Sequence, residues 1–185
     1  MQHPDETRVI LSHIATDGSS DCEHRVVRAE VITDPAGTPV FKASHLWGTA
    51  GGIASVGTGL APGRVAEPWF PVPGGVRFRL FTIMPAPRDA GDGRAASGPG
   101  DLKGGSVAGF SDAFDLGHPG MHRSDTVDYA FVVSGEIVLE VERRETRVGQ
   151  GDLVVLHGGW HNWRNDTDRP ATLVAVMVGA HRVTP

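Results

Sequence analysis

The sequence predicts an all-β protein, a sandwich or small barrel, on three observations. Valine-rich apolar runs such as "RVVRAEVI" and "GVRFRLFTIM" alternate with polar residues, and a period of two is that of a half-buried strand. Glycine and proline, 25 and 13 of 185 residues, make the chain rich in turns. After His118 the strand-like runs crowd together, separated by glycine turns, as in sandwiches and small barrels. The length suits one packed core rather than two.

In chain order, "RVILSHIA" has no clear period and stays unassigned, so residues 1–24 are read as an N-terminal extension and 25–185 as a single domain. In "RVVRAEVI" Val27, Ala29 and Val31 face one way and Arg28 and Glu30 the other. "DPAG" turns the chain into "TPVFKA", and in the next strand Val76, Phe78 and Leu80 alternate with Arg77 and Arg79. Pro73-Gly74-Gly75 opens that strand, and Pro85 and Pro87 end it. Residues 86–117, dominated by Gly, Ala, Asp and Ser, bury too little apolar surface to offset ordering entropy and read as a flexible loop or lid. Its tail spaces Phe110, Phe114 and Leu116 as a short docking helix would. Residues 118–180 then supply "DYAFVVSG", "EIVLEVE", "TRVG", "GDLVVLHGG", "WHNWRN" and "ATLVAVMVGA". The last is apolar on both faces, which predicts a place in the middle of a sheet or at a subunit interface.

Composition removes several classes of partner. A net charge of −5 and a pI near 5.9 provide no basic field for nucleic acid. The lone Cys22 excludes an intrachain disulfide, and no apolar run is long enough to cross a bilayer. The first residues lack the basic and apolar regions of a secretory signal, so the expected location is cytoplasmic. Exposed edge strands are commonly paired across a two-fold axis; a homodimer is expected, with strands near Val26 or Phe41 contributing.

The candidate chemistry lies in two segments. In "MHRSDTVDY", His122, Ser124 and Asp128 share a face by parity; in "WHNWRN", His161 and Trp163 do. Two imidazoles and a carboxylate converging inside a barrel form the ligand set of a facial triad, with positions left open for substrate. The alternative is a polar barrel mouth in which His122 hydrogen-bonds Asp128 without a metal.

These segments resemble the paired motifs of the cupin superfamily, and more closely small single-domain cupins with "MHRTDTVDY" and "GDVVVQ-GTxHAWRN" type sequences. His122 takes the place of the first histidine, Ser124 of the second, Asp128 of the glutamate and Gly135 of the glycine; Gly158, His161 and Asn165 match the second motif, fifteen residues after the first. Ser124 and Asp128 depart from the usual His and Glu, and Leu156 stands where many relatives carry Pro.

The resemblance implies a jelly-roll barrel, the double-stranded β-helix, with extra N-terminal strands and a long glycine-rich loop. It further implies a divalent metal on His122, Asp128 and His161, with Fe(II) favoured over Mn(II), Ni(II) or Zn(II). Asn165 and Arg164 would support the ligands, and Ser124, Trp163, Trp47, His45 and Phe78 would line the substrate pocket. The expected activity is that of an oxygenase acting on a small ketone, phenol or enol. The alternatives are a non-redox isomerase, cyclase, dehydratase or lyase, with or without metal, and a non-catalytic small-molecule binding module.

Overall fold

The computed structural model describes residues 5–57, 65–86 and 109–183. Most of the segment expected to form the glycine-rich loop, 87–108, lies outside the described residues. Eleven strands run in order: β1 Glu6–Ile14, β2 Ser20–Arg28, β3 Glu30–Thr33, β4 Pro39–Thr49, β5 Val76–Ile83, β6 Thr126–Ser134, β7 Glu136–Val141, β8 Arg144–Gly149, β9 Leu153–His157, β10 His161–Arg164 and β11 Ala171–Gly179. Every pairing is antiparallel. The strands form a hairpin β1-β2, a three-stranded sheet β10-β7-β8 and a six-stranded sheet β3-β4-β5-β11-β6-β9. The all-β jelly-roll class is therefore what the chain adopts. Among the described residues no helix is long and apolar enough to cross a membrane.

β11 holds the central place its composition predicts, between β5 and β6. Its inward residues Ala171, Leu173 and Ala175 join Ala130, Val132, Ile137 and Val148 in one buried cluster. A second cluster, Ile32, Ala43 and Trp69, fills the other end.

Three local readings change. The unassigned "RVILSHIA" is most of β1, which pairs along its whole length with β2, so the hairpin runs through residue 25, where the sequence places the start of the domain. Val27 and Val31 do not share a face: Val27 and Ile32 are buried while Val31 is 42% exposed. The parity flips at Ala29: its N–H still donates to the Asp5 carbonyl (2.9 Å), one step beyond the last β1–β2 pair, and β3 then starts a new pairing with β4.

In β5 the alternation is real, but the arginines occupy the buried face, Arg77 at 1% and Arg79 at 3% exposure. A guanidinium can enter a core when carbonyls replace its water. Arg77 donates from Nε to the Pro68 carbonyl (3.1 Å), from Nη1 to Thr49 and Val76 (2.9 Å each) and from Nη2 to Glu67 (2.9 Å). Arg79 bonds the Ala66 and Trp69 carbonyls (3.2 Å each) and lies 3.8 Å from the centre of the Trp69 ring. Together they fasten the segment 65–70 over the sheet. Tyr129 and Phe131 stand on the face of β6 away from Asp128, at 54% and 40% exposure.

Candidate functional site

A cavity of about 210 Å³ lies between the two larger sheets. One end is aromatic, with Phe41, Trp69, Phe81, Phe110 and Phe114; the other carries His122, Asp128 and His161. Phe110 and Phe114 reach it from the described tail of the loop, through the single 3-10 turn Ser111–Ala113. Phe110 packs 4.6 Å from Trp69 and Phe114 4.9 Å from His122, centre to centre. Leu116, expected to dock with them, is exposed.

The two imidazoles are neighbours. His122 and His161 exchange both backbone hydrogen bonds (2.9 and 3.0 Å), and their ring centres are 4.3 Å apart. Each ring Nδ1 lies 3.0 Å from the carbonyl of the glycine two residues earlier, Gly120 for His122 and Gly159 for His161. A carbonyl oxygen only accepts, so each Nδ1 must carry the proton. Each Nε2 is thereby left as a lone pair, and neither has a hydrogen-bond partner among the described residues. Burial, with the second imidazole beside it, pushes His122 down to about 3; burial also pushes His161 down. Both rings are neutral near pH 7.

Asp128 enters the same cavity from the centre of β6. Burial pushes its carboxyl up to about 6, partly opposed by a hydrogen bond from Thr126. Thr126 also bonds Ser124 (2.6 Å). Ser124, Thr126 and Asp128 thus form one buried row, of which Asp128 lines the cavity and Ser124 and Thr126 do not. Asp128 Oδ1 is buried and has no hydrogen-bond partner among the described residues.

The three expected ligands, His122, Asp128 and His161, all line the one cavity. No three His, Cys, Asp or Glu side chains among the described residues make a group able to hold a metal ion. The imidazole pair and the carboxylate share a cavity, but Asp128 is a methylene shorter than glutamate and is held from the side by Thr126. The supporting roles shift as well. Arg164 is bonded to Glu140, Glu145 and Asp166, and Asn165 donates to the Ile83 and Arg169 carbonyls (3.0 and 2.8 Å). Both line the cavity, yet neither bonds an imidazole; the groups that orient the rings are the Gly120 and Gly159 carbonyls.

Trp163 lines the cavity, with its ring centre 6.5 Å from that of His161. Trp47, His45 and Phe78 do not line it. Trp47 pairs with Phe78 on β4 and β5 and lies 5.7 Å from the Arg25 guanidinium on the hairpin side, while His45 is buried against Gly48. Val26 is exposed on the hairpin, whereas Phe41 turns inward to Phe110, 5.9 Å away.

The repeated Gly-x-His of "GMH" and "GWH" was a legible signal for the carbonyl-oriented pair, and sequence reasoning passed over it. At Gly120 the requirement is strict: φ is +86°, and a Cβ there would stand 2.7 Å from Asn162 Oδ1. Left-handed backbone at a non-glycine residue costs about 1–3 kcal/mol. Gly120→Ala is therefore expected to lower the unfolding free energy by about that amount, measured by urea denaturation; an unchanged midpoint would show that the loop relaxes freely.

A small antiparallel jelly roll with a histidine pair facing its interior is the architecture of a cupin. Residues 117–177 match the family model described as the cupin domain, and the chain carries a cupin domain over that segment. Among curated proteins, the phomopsin biosynthesis cluster proteins C' and D of Diaporthe leptostromiformis are each 42% identical over 65 residues, 35% of this chain and 34% of theirs. The oryzines biosynthesis cluster protein J of Aspergillus oryzae is 42% identical over the same share of this chain and 36% of its own. The match thus spans about a third of the length of these relatives. Solved structures that align include the Cnp3 cupin domain of Schizosaccharomyces pombe, with TM-score 0.45, 10% identity and coverage of 96% of this chain and 89% of that one. A cupin-2 domain protein of Rhodospirillum rubrum aligns with TM-score 0.38, 16% identity and coverage of 79% and 64%.

Proposed function

We propose that the chain is an enzyme that moves a proton on a small organic substrate, a ketone, phenol or enol, in the isomerase or lyase class. The observation that carries this reading is Asp128: a carboxyl buried in a largely apolar cavity, one oxygen unpartnered, with its proton affinity raised to about 6. A group titrating near the working pH transfers protons most effectively in both directions. Asp128 takes a proton from the carbon next to the carbonyl carbon, leaving the electron pair in the enolate, and returns the proton to a second position of the same molecule. His122 and His161, too weakly basic to hold a proton near neutrality, position the substrate by accepting hydrogen bonds from its hydroxyl groups at Nε2. Phe110 and Phe114 keep bulk water from the enolate.

A second reading has its own observation. A ligating histidine usually donates its other ring N–H to a carbonyl or carboxylate, as both imidazoles do here. Such a pair fits one divalent ion, Fe(II), Mn(II), Ni(II) or Zn(II), held by His122 and His161; when bound it would supply Lewis acidity, or with iron the redox chemistry of an oxygenase. The similarity to biosynthesis cluster proteins supports an enzyme in either case.

The test is deuterium uptake from heavy water into a panel of enolisable ketones and phenols, after exhaustive chelation. Exchange that persists, and falls about 100-fold or more in Asp128→Asn, supports proton transfer by the residues alone. Exchange lost on chelation and restored by one of the four ions transfers the function to the second reading.

A further inference from the structure

The polar groups around this cavity differ in what they leave open. Its basic side chain, Arg164, is already held by three carboxylates: Asp166 at 2.7 Å, Glu145 at 3.0 Å and Glu140 at 3.3 Å. No other lysine or arginine among the described residues lines the cavity, while Asp34 and Asp128 do. Both amide donors of Asn165 Nδ2 are engaged, on the Ile83 and Arg169 carbonyls, and one of the two on Asn162 Nδ2 goes to Glu140 (3.2 Å).

Beside the imidazoles what stays open are acceptors, while the donors left among the lining residues are neutral ones, chiefly the indole N–H groups of Trp69 and Trp163. Asp128 Oδ1 is buried and unpartnered on a residue only 8% exposed, and the Nδ1–H bonds to Gly120 and Gly159 turn both Nε2 atoms into acceptors. A carboxylate or phosphate would meet lone pairs and negative charge, with no free cation among the described lining residues to offset its desolvation. An ether or ester would leave the acceptors unpaired. The remaining walls are aromatic, Trp69, Phe81, Phe110 and Phe114 among them, and about 210 Å³ falls below the roughly 300–1,000 Å³ of sites for drug-sized ligands.

Resting on the enzyme reading above for the site but not for the reaction, we propose that this cavity selects an uncharged, ring-bearing molecule that presents hydroxyl donors, and rejects carboxylated and phosphorylated ones. The ring stacks among the phenylalanines, and its hydroxyls donate to the imidazole pair and to Asp128.

The experiment uses binding, not turnover, on the full chain at pH 7.5 with chelator present throughout, so that the residues rather than an ion are probed. Three size-matched probes, 4-ethylphenol, 4-ethylanisole and 4-ethylbenzoate, are titrated by calorimetry or protein-observed NMR. The phenol is expected to bind at least tenfold more tightly than either of the others. His161→Phe and Asp128→Leu should each cut that preference to threefold or less while retaining the anisole. Equal or tighter binding of the benzoate or the anisole, a preference unmoved by both substitutions, or no saturation by the phenol overturns the proposal. Failure of the enzyme reading is distinguishable: phenol selectivity without deuterium uptake into any compound sinks the function and leaves the ligand class standing, while uptake into a carboxylated substrate does the reverse.

Discussion

Arg77→Met is expected to lower the stability of the chain by about 3 kcal/mol, an estimate set by several buried carbonyls losing a donor at about 1–3 kcal/mol each. The guanidinium is 1% exposed and spreads four hydrogen bonds over the carbonyls of Thr49, Glu67, Pro68 and Val76. Burial lowers the Arg77 pKa, so removing the charge relieves part of its desolvation, and the carbonyl term must exceed that relief. At about 2–4 °C per kcal/mol for a domain of this size, thermal unfolding should move down by about 6–12 °C. Arg77→Lys should recover little, because a single ammonium cannot reach carbonyls on both sides of a fork. The segment 65–70 carries Trp69, which walls the aromatic end of the cavity, so amide exchange there should accelerate in the same variant. A midpoint within 2 °C of the wild type would mean that water takes over the carbonyls.

The second large effect is a crossing of pH profiles. His122 titrates at about 3 in the folded chain against an ordinary value of 6.5, so below pH 6.5 the unfolded chain binds a proton that the folded chain refuses. Stability is lost as pH falls through that window, by about 3 kcal/mol between pH 7 and pH 4 at about 1.4 kcal/mol per pKa unit. His161, also lowered, adds in the same direction. Asp128 works the other way. Its folded value of about 6 lies above the ordinary 3.8, so its contribution is present at low pH and is lost as pH rises through 4 to 6, by about 2–3 kcal/mol.

In the wild type the Asp128 slope offsets part of the histidine slope. Asp128→Asn should expose the histidine slope and lose about 2 kcal/mol more than the wild type on going from pH 7 to pH 4, while being the more stable protein at pH 7. His122→Gln should expose the opposite slope and lose about 3 kcal/mol less than the wild type over the same range. Urea unfolding at the two pH values measures both, and parallel profiles for the three proteins would show that neither group is buried as described.

Much of this protein was legible in its sequence because strand periodicity and turn chemistry are local. The alternation in β6 and β7, the two-faced β11 and the glycine turns predicted the all-β class and the central place of β11. The spacing of His122, Asp128 and His161 put all three around one cavity. Parity cannot say which face of a strand is inside: β5 reads the same whether its phenylalanine and leucine or its arginines are buried, and only the carbonyls of the segment 65–70 decide for the arginines. Nor can spacing report a side chain's reach. The orientation of the three groups is set by contacts, the hydrogen bond between Thr126 and Asp128 and the Gly120 and Gly159 carbonyls beside the rings. Those contacts join groups that the sequence places near one another but cannot orient.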